Sequence, residues 1–290
     1  MSLQTLIPLA LKASILLNVF AIGLRASLQD ATYLFRRPGQ LVRGLLAMNL
    51  LMPLFAVTLA VLFDLNPAVK IALVALSVSP IPPVLPIKMM KAGGTKSYSI
   101  GVLVAVGLLA ILFVPAAMEI LQRVFGVPLQ MTVASIAALI LKTVLLPLAL
   151  GIVLHSFGPA LAERLAKPIS QLGSVGLLGC GLIILSTAAP HILALVGSGT
   201  LIALAAFVLV GLAIGHWLGG PEAENRTALA FSTASRHPGI AIALAHANFP
   251  QQKLAMAAVL LYLLINTIAA VPYHVWTKRR GAAVAGAVKT

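Results

Sequence analysis

Residues 70–83 read KIALVALSVSPIPP, and residues 226–239 read RTALAFSTASRHPG. At an offset of 156 they align Lys70 with Arg226, Ala72 with Ala228, Leu73 with Leu229, Ser77 with Thr233, Ser79 with Ser235 and Pro82 with Pro238. Both segments start with a cation, run on as small and apolar residues, and reach proline after about three helical turns. Proline has no N–H to donate and clashes with the preceding turn, so a helix breaks there. Breaks are expected at Pro80, Pro82 and Pro83 in the first copy, and at Pro238 and Gly239 in the second.

Composition decides what surrounds such breaks. The chain has 290 residues, 60% of them from the apolar set AVILMFWYC and only 9% charged. A soluble domain carries about 45–50% apolar and about 25% charged residues, so this chain cannot coat a water-facing surface. It reads as an all-α polytopic membrane protein. A crossing helix needs ~20 mostly apolar residues. Nine spans satisfy that: 5–24, 41–63, 67–90, 99–121, 131–154, 169–188, 199–218, 226–247 and 253–276. No Lys or Arg precedes the first span, which favours a retained helix over a cleaved signal peptide.

The net charge of +14 follows from topology rather than from nucleic-acid binding. With nine spans, fourteen of the twenty Lys and Arg residues fall on the side of the C-terminus. Four (Lys12, Lys70, Arg123 and Lys253) fall on the other side, and Lys142 and Arg236 lie inside spans. Basic residues accumulate in cytoplasmic loops, so the C-terminus is expected in the cytoplasm and the N-terminus outside, in a cell (inner) membrane.

In that topology the two related segments run in opposite directions. This implies an inverted repeat, with residues 1–121 related to 169–276, an unpaired helix at 131–154, and a cytoplasmic tail at 277–290. Paired interrupted spans point to the substrate site of a secondary transporter. Backbone groups freed by a break cannot face lipid, so the breaks are buried or line a wet cavity. A half-helix that starts in mid-membrane presents free N–H groups and partial positive charge, which favours an anion.

The stretch FAIGLRASLQDATYLFRRPGQLVRGLLAMNLLMPLFAVTLAVLFDLNPAVKIALVALSVSP (20–80) resembles the first half of the bile acid:sodium symporter family, in FAIGL, in RRP and in the MP of the second span. RHPGIAIALA (236–245) sits where that family has its second crossing helix. The resemblance implies a panel and a core domain, two crossing broken helices, and transport by alternating access. It also implies two sodium sites. In this chain the family's Glu, Gln and Asn near the second break are Ser232, Arg236 and His237. Its Ser-Asn pair near the first break is Val84 and Leu85, and its Gln in the preceding span is Met48, beside Asn49. Sodium needs hard oxygen ligands, which valine, leucine and methionine lack, so sodium coupling is not supported and no metal ligand is assigned.

Ionisable groups inside the lipid are costly and therefore informative. Arg236 is expected two residues before the second break, with no acidic residue in mid-span. It either replaces a bound cation by its fixed charge or satisfies carbonyls freed by the break. His237 titrates near neutral pH in water; it is a proton-coupling candidate or a satisfied core histidine. Lys88 draws an anion inward or snorkels with Lys91. Lys142 sits centrally in the unpaired span. Ser79, Ser235, Asn49 and Asn266 line a polar path or bond between helices. Gly173, Gly176, Gly179 and Gly181 suit close helix packing, and Cys180, the only cysteine, suits a buried inert thiol.

The expected function is a secondary transporter of an organic anion, bile-acid-like or a small carboxylate, with no cofactor and no P-loop. A sodium- or proton-coupled symporter and a related exporter or channel-like permease are the alternatives. An arsenite carrier would place cysteine where this chain has Pro82 and Pro83. An intramembrane hydrolase would need paired carboxylates or a histidine–glutamate motif, and His237 and His246 have no acidic helper.

Overall fold

The computed structural model describes residues 3–126, 132–197 and 199–287, and every regular element among them is helical. In chain order these are α1 (Leu3–Gly23), α2 (Leu28–Ala31), α3 (Pro38–Leu62), α4 (Pro67–Val78), α5 (Leu85–Lys91), α6 (Lys96–Phe125) and α7 (Val133–Phe157). They continue with α8 (Pro159–Leu193), α9 (Thr200–Leu218), α10 (Ala223–Ala234), α11 (Pro238–Asn248), α12 (Leu254–Ala269) and α13 (Val271–Ala287). Two π turns, Leu46–Leu51 in α3 and Leu141–Leu145 in α7, interrupt otherwise α-helical stretches. Met131, the expected start of the fifth span, and the end of the tail at 288–290 lie outside the described residues.

Among the described residues, seven helices are long and apolar enough to cross a membrane: α1, α3, α6, α7, α8, α9, and α12 running into α13. The sixth span was expected from 169, but α8 begins at Pro159 and runs for 35 residues. Glu163, Arg164 and Lys167 end the apolar run without ending the helix, because charged residues are good helix formers outside lipid.

The third and eighth expected spans are each two helices. α4 and α10 are both 12 residues long, and both their ends are displaced by the 156 residues that align the sequences. Each stops at an extended serine, Ser79 (φ −73°, ψ 144°) or Ser235 (φ −104°, ψ 126°). Past the serine the two copies diverge. Pro80, Pro82 and Pro83 disfavour helical geometry in the residues before them, and helix resumes only at Leu85, with Pro86 in its first turn.

The second copy has one proline, and its break covers only Ser235, Arg236 and His237. Pro238 was expected to break the helix; instead it opens α11 at the first helical position, where no N–H is needed. Gly239 belongs to that first turn, and Arg236 sits within the break rather than before it. The two breaks are joined directly: His237 N–H donates to Pro80 O at 2.7 Å.

Glycines set the closest approaches. α1 packs along α8 and α7. A Cβ on Gly151 of α7 would stand 2.7 Å from Gly23 Cα of α1. Gly173 and Gly176 of α8 face Asn18 and Ser14 of α1, but Gly179 and Gly181 have nothing within 4 Å, so only half of that glycine cluster serves close packing. Cys180 is free and buried. α9 lies against α10 through Gly211 and Gly215, and a Cβ on Gly215 would meet Ala230 Cα and Leu229 O at 2.5 Å. This contact seats α10, and with it the second break. Forcing larger side chains into a packed interior costs about 1–3 kcal/mol or more. Gly215→Leu should therefore lower the thermal unfolding midpoint of the detergent-purified protein by several degrees, while Gly179→Ala leaves it unchanged or slightly raised.

Candidate functional site

Arg236 is the largest fully buried side chain in the structure, at 1% exposure. Its guanidinium reaches away from its own segment. Nη2 donates to Met48 O at 2.7 Å, and Nη1 donates to Ser79 O at 3.3 Å. Met48 lies in the π turn of α3, and Ser79 is the first residue past α4. One cation thus ties three interrupted segments through two carbonyls. Nε is buried and has no partner. No carboxylate pairs with Arg236 among the described residues; the ion pairs found there are Lys96–Asp30 at 3.2 Å and Arg123–Glu119 at 3.0 Å.

Tyr262 of α12 closes the second break. Its hydroxyl accepts from Arg236 N–H at 2.8 Å and donates to Ala234 O at 2.7 Å, so it stands where the next helical turn would have been. Phe207 of α9 holds the ring edge-to-face at 5.9 Å. One turn along α12, Asn266 Nδ2 donates to Ser235 Oγ at 3.2 Å, and Asn266 Oδ1 is buried without a partner. Ser79 Oγ donates back to Ala75 O at 2.6 Å. His237 caps α11: Nδ1 accepts from Ile240 N–H at 3.3 Å, which places the ring proton of the neutral form on Nε2. Beside it a void of about 10 Å³, lined in part by Ile81, Thr143 and Val144, has room for about one water.

Arg236, His237, Ser79, Ser235 and Asn266 are therefore gathered at the breaks. Asn49 comes after Met48 in the same π turn and is half-buried. Lys88 stands apart on α5, its ammonium 5.7 Å from the centre of the Phe231 ring. Lys142 is exposed, in the π turn of α7. Sequence reasoning missed Tyr262 and the Met48 carbonyl. Tyr262 left a trace as a hydroxyl inside an apolar span; a carbonyl released by a π turn leaves none.

A second feature is a cavity of about 350 Å³ where the ends of α1 and α5 meet the start of α6 and Ser170 of α8. Ile22, Ile87, Met90 and Ile100 supply apolar wall, and Arg25, Lys91 and Lys96 supply charge. Lys96 is committed to Asp30 and to Arg25 O at 3.1 Å. Burial raises the Asp30 pKa, but hydrogen bonds from Ser97, the Ser27 amide, Lys96 and the Ser27 hydroxyl outweigh it and hold the carboxyl below its ordinary value of 3.8.

The model of the sodium bile acid symporter family matches residues 13–195. The chain belongs to that family. It is a multi-pass membrane transporter. The uncharacterized sodium-dependent transporter YocS of Bacillus subtilis (strain 168) is 25% identical over 238 residues, covering 80% of this chain and 72% of YocS. The Arg236 segment lies beyond the stretch that the family model matches. Sodium is a poor fit to the residues gathered at the breaks. Ser232 Oγ donates to Ala228 O at 2.8 Å, Met48 and Leu85 are buried apolar side chains, and a guanidinium holds two of the nearby carbonyls.

Tyr262→Phe removes the partner of both Arg236 N–H and Ala234 O, and an unsatisfied buried polar group costs about 1–3 kcal/mol. The variant should unfold at lower temperature than the parent, with the same helical signal at low temperature. Asp30 contributes to stability above the unfolded carboxylate value of about 3.8, and this is lost as the pH falls through its lower folded value. The melting-temperature gap between the parent and Asp30→Asn should be widest near neutrality and close in acid.

Proposed function

We propose that this transporter carries an organic anion across the inner membrane by alternating access, with Arg236 standing in for a bound cation. The observation that carries this is the buried guanidinium on the carbonyls of Met48 and Ser79, with no carboxylate to neutralise it among the described residues. Even on lenient insertion scales, an arginine in mid-membrane costs about 2.5–3.5 kcal/mol. Two carbonyl bonds offset part of that cost, and the orphaned Nε–H leaves a donor suited to an anionic oxygen.

The proposed architecture has nine crossings, with α4–α5 and α10–α11 each making one as a broken pair. The matched lengths of α4 and α10 support an inverted repeat of residues 1–121 and 169–276 around an unpaired helix at 131–154. In this topology the N-terminus lies outside and the tail at 277–290 in the cytoplasm. The cavity holding Arg25 and Lys91 then opens to the cytoplasm, where its charge would gather anions. His237, Ser79, Ser235, Asn49 and Asn266 are proposed to line the path near the breaks, with Lys88 and Lys142 as further cations along it.

One observation favours a second reading, that of a sodium-coupled symporter: the relative YocS is described as sodium-dependent. His237 keeps proton coupling open as a variant of the same scheme. Proteoliposome uptake of a panel of carboxylates separates these. The expected result is uptake unaffected by replacing sodium with potassium and lost by at least tenfold in Arg236→Gln. Uptake that needs a sodium gradient, or that survives in Arg236→Gln, would refute the cation-replacement role.

A further inference from the structure

A third cavity, of about 260 Å³, lies where α3, α6 and α11 end and α4 begins. Its lining includes Ala60, Pro67, Phe125 and Asn248, each within two residues of a helix terminus, so it belongs to the end of the bundle rather than to its middle. Its wall is almost wholly apolar, with Val74, Met118, Leu121, Leu244 and Phe249. Lys70 is the one charged residue among the described residues of that wall. It is half-buried and makes no ion pair with any described residue.

We propose that this cavity binds a compact amphipathic monocarboxylate, such as a medium-chain fatty acid, with Lys70 holding the carboxylate and the apolar wall holding the body. The proposal rests on the organic-anion reading above and narrows it. The largely apolar wall disfavours a strongly hydrated solute, since among the described lining residues only Lys70 and Asn248 carry polar side chains. The lone ammonium fits one negative charge, and a second carboxylate would be buried against hydrocarbon side chains. Pockets that enclose drug-sized ligands run to about 300–1,000 Å³. A cavity of about 260 Å³ therefore takes a chain of several methylenes or one aromatic ring, and not a four-ring sterol acid. α4 and α11 both contribute lining, and these are the helices that lead to Ser79 and from His237. A ligand seated here touches both broken spans.

The test is calorimetric binding to the full-length protein in lipid nanodiscs, using butanoate, hexanoate, octanoate, octanedioate and cholate as probes. Affinity should rise by up to about fourfold per added methylene between butanoate and octanoate. Octanedioate and cholate should bind at least tenfold more weakly than octanoate. Lys70→Met should lose at least tenfold in octanoate affinity, and Lys70→Arg should retain it. Val74→Phe, which fills the cavity while keeping the charge, should flatten the chain-length series. Octanoate binding that is indifferent to Lys70→Met, or cholate binding as tight as octanoate, overturns the proposal. The transport reading fails separately: absence of anion uptake in proteoliposomes would sink it while leaving Lys70-dependent octanoate binding intact.

Discussion

The guanidinium of Arg236 sets the terms for the middle of this molecule. Breaking two helices in lipid releases backbone groups that water cannot satisfy, and a π turn in a third helix releases more. Arg236 collects acceptors from two of these segments, while its own amide is taken up by Tyr262. Carbonyls of the kind that coordinate ions are held instead by a covalently attached cation. The arrangement satisfies local backbone and holds a positive charge in place at the same time.

The two broken spans are alike up to their serines and unlike afterwards. α4 and α10 agree in length and in the residue that ends them, and the divergence begins where proline number differs. Three prolines, at 80, 82 and 83, hold a longer irregular segment, whereas the single Pro238 permits helix to restart within three residues. The longer break supplies Pro80 O to the shorter one, which lets His237 stay extended without an orphaned amide.

Much of the scaffold was legible in the primary structure, because apolar runs, cations and prolines report directly on lipid contact and on helix continuity. The breaks at 80–83 and near 238 are products of that logic. Their edges are not: the extended residues before Pro238 are set by the bonds that Tyr262 and Pro80 O provide across the bundle, and no spacing rule contains those. Arg236, His237, Ser79 and Ser235 were legible from the paired breaks, whereas Asn266 was legible only as a polar side chain inside an apolar span. Lys142 shows the opposite case, a central position in a span that tertiary packing leaves exposed. In the sequence Lys70 marks topology and matches Arg226 in the repeat; the ligand contact proposed for it depends on a cavity built from four helices.

Tyr262 has a consequence for movement. Ala234 and Arg236 are linked through a phenol on a third helix instead of through a continuous helical turn. A tilt of α10 relative to α11 therefore needs no peptide hydrogen bond to rupture along its own axis; it needs one hydroxyl to swing. Were the two half-helices to turn against each other, the tyrosine would be the pivot pin and α12, which carries it, the post.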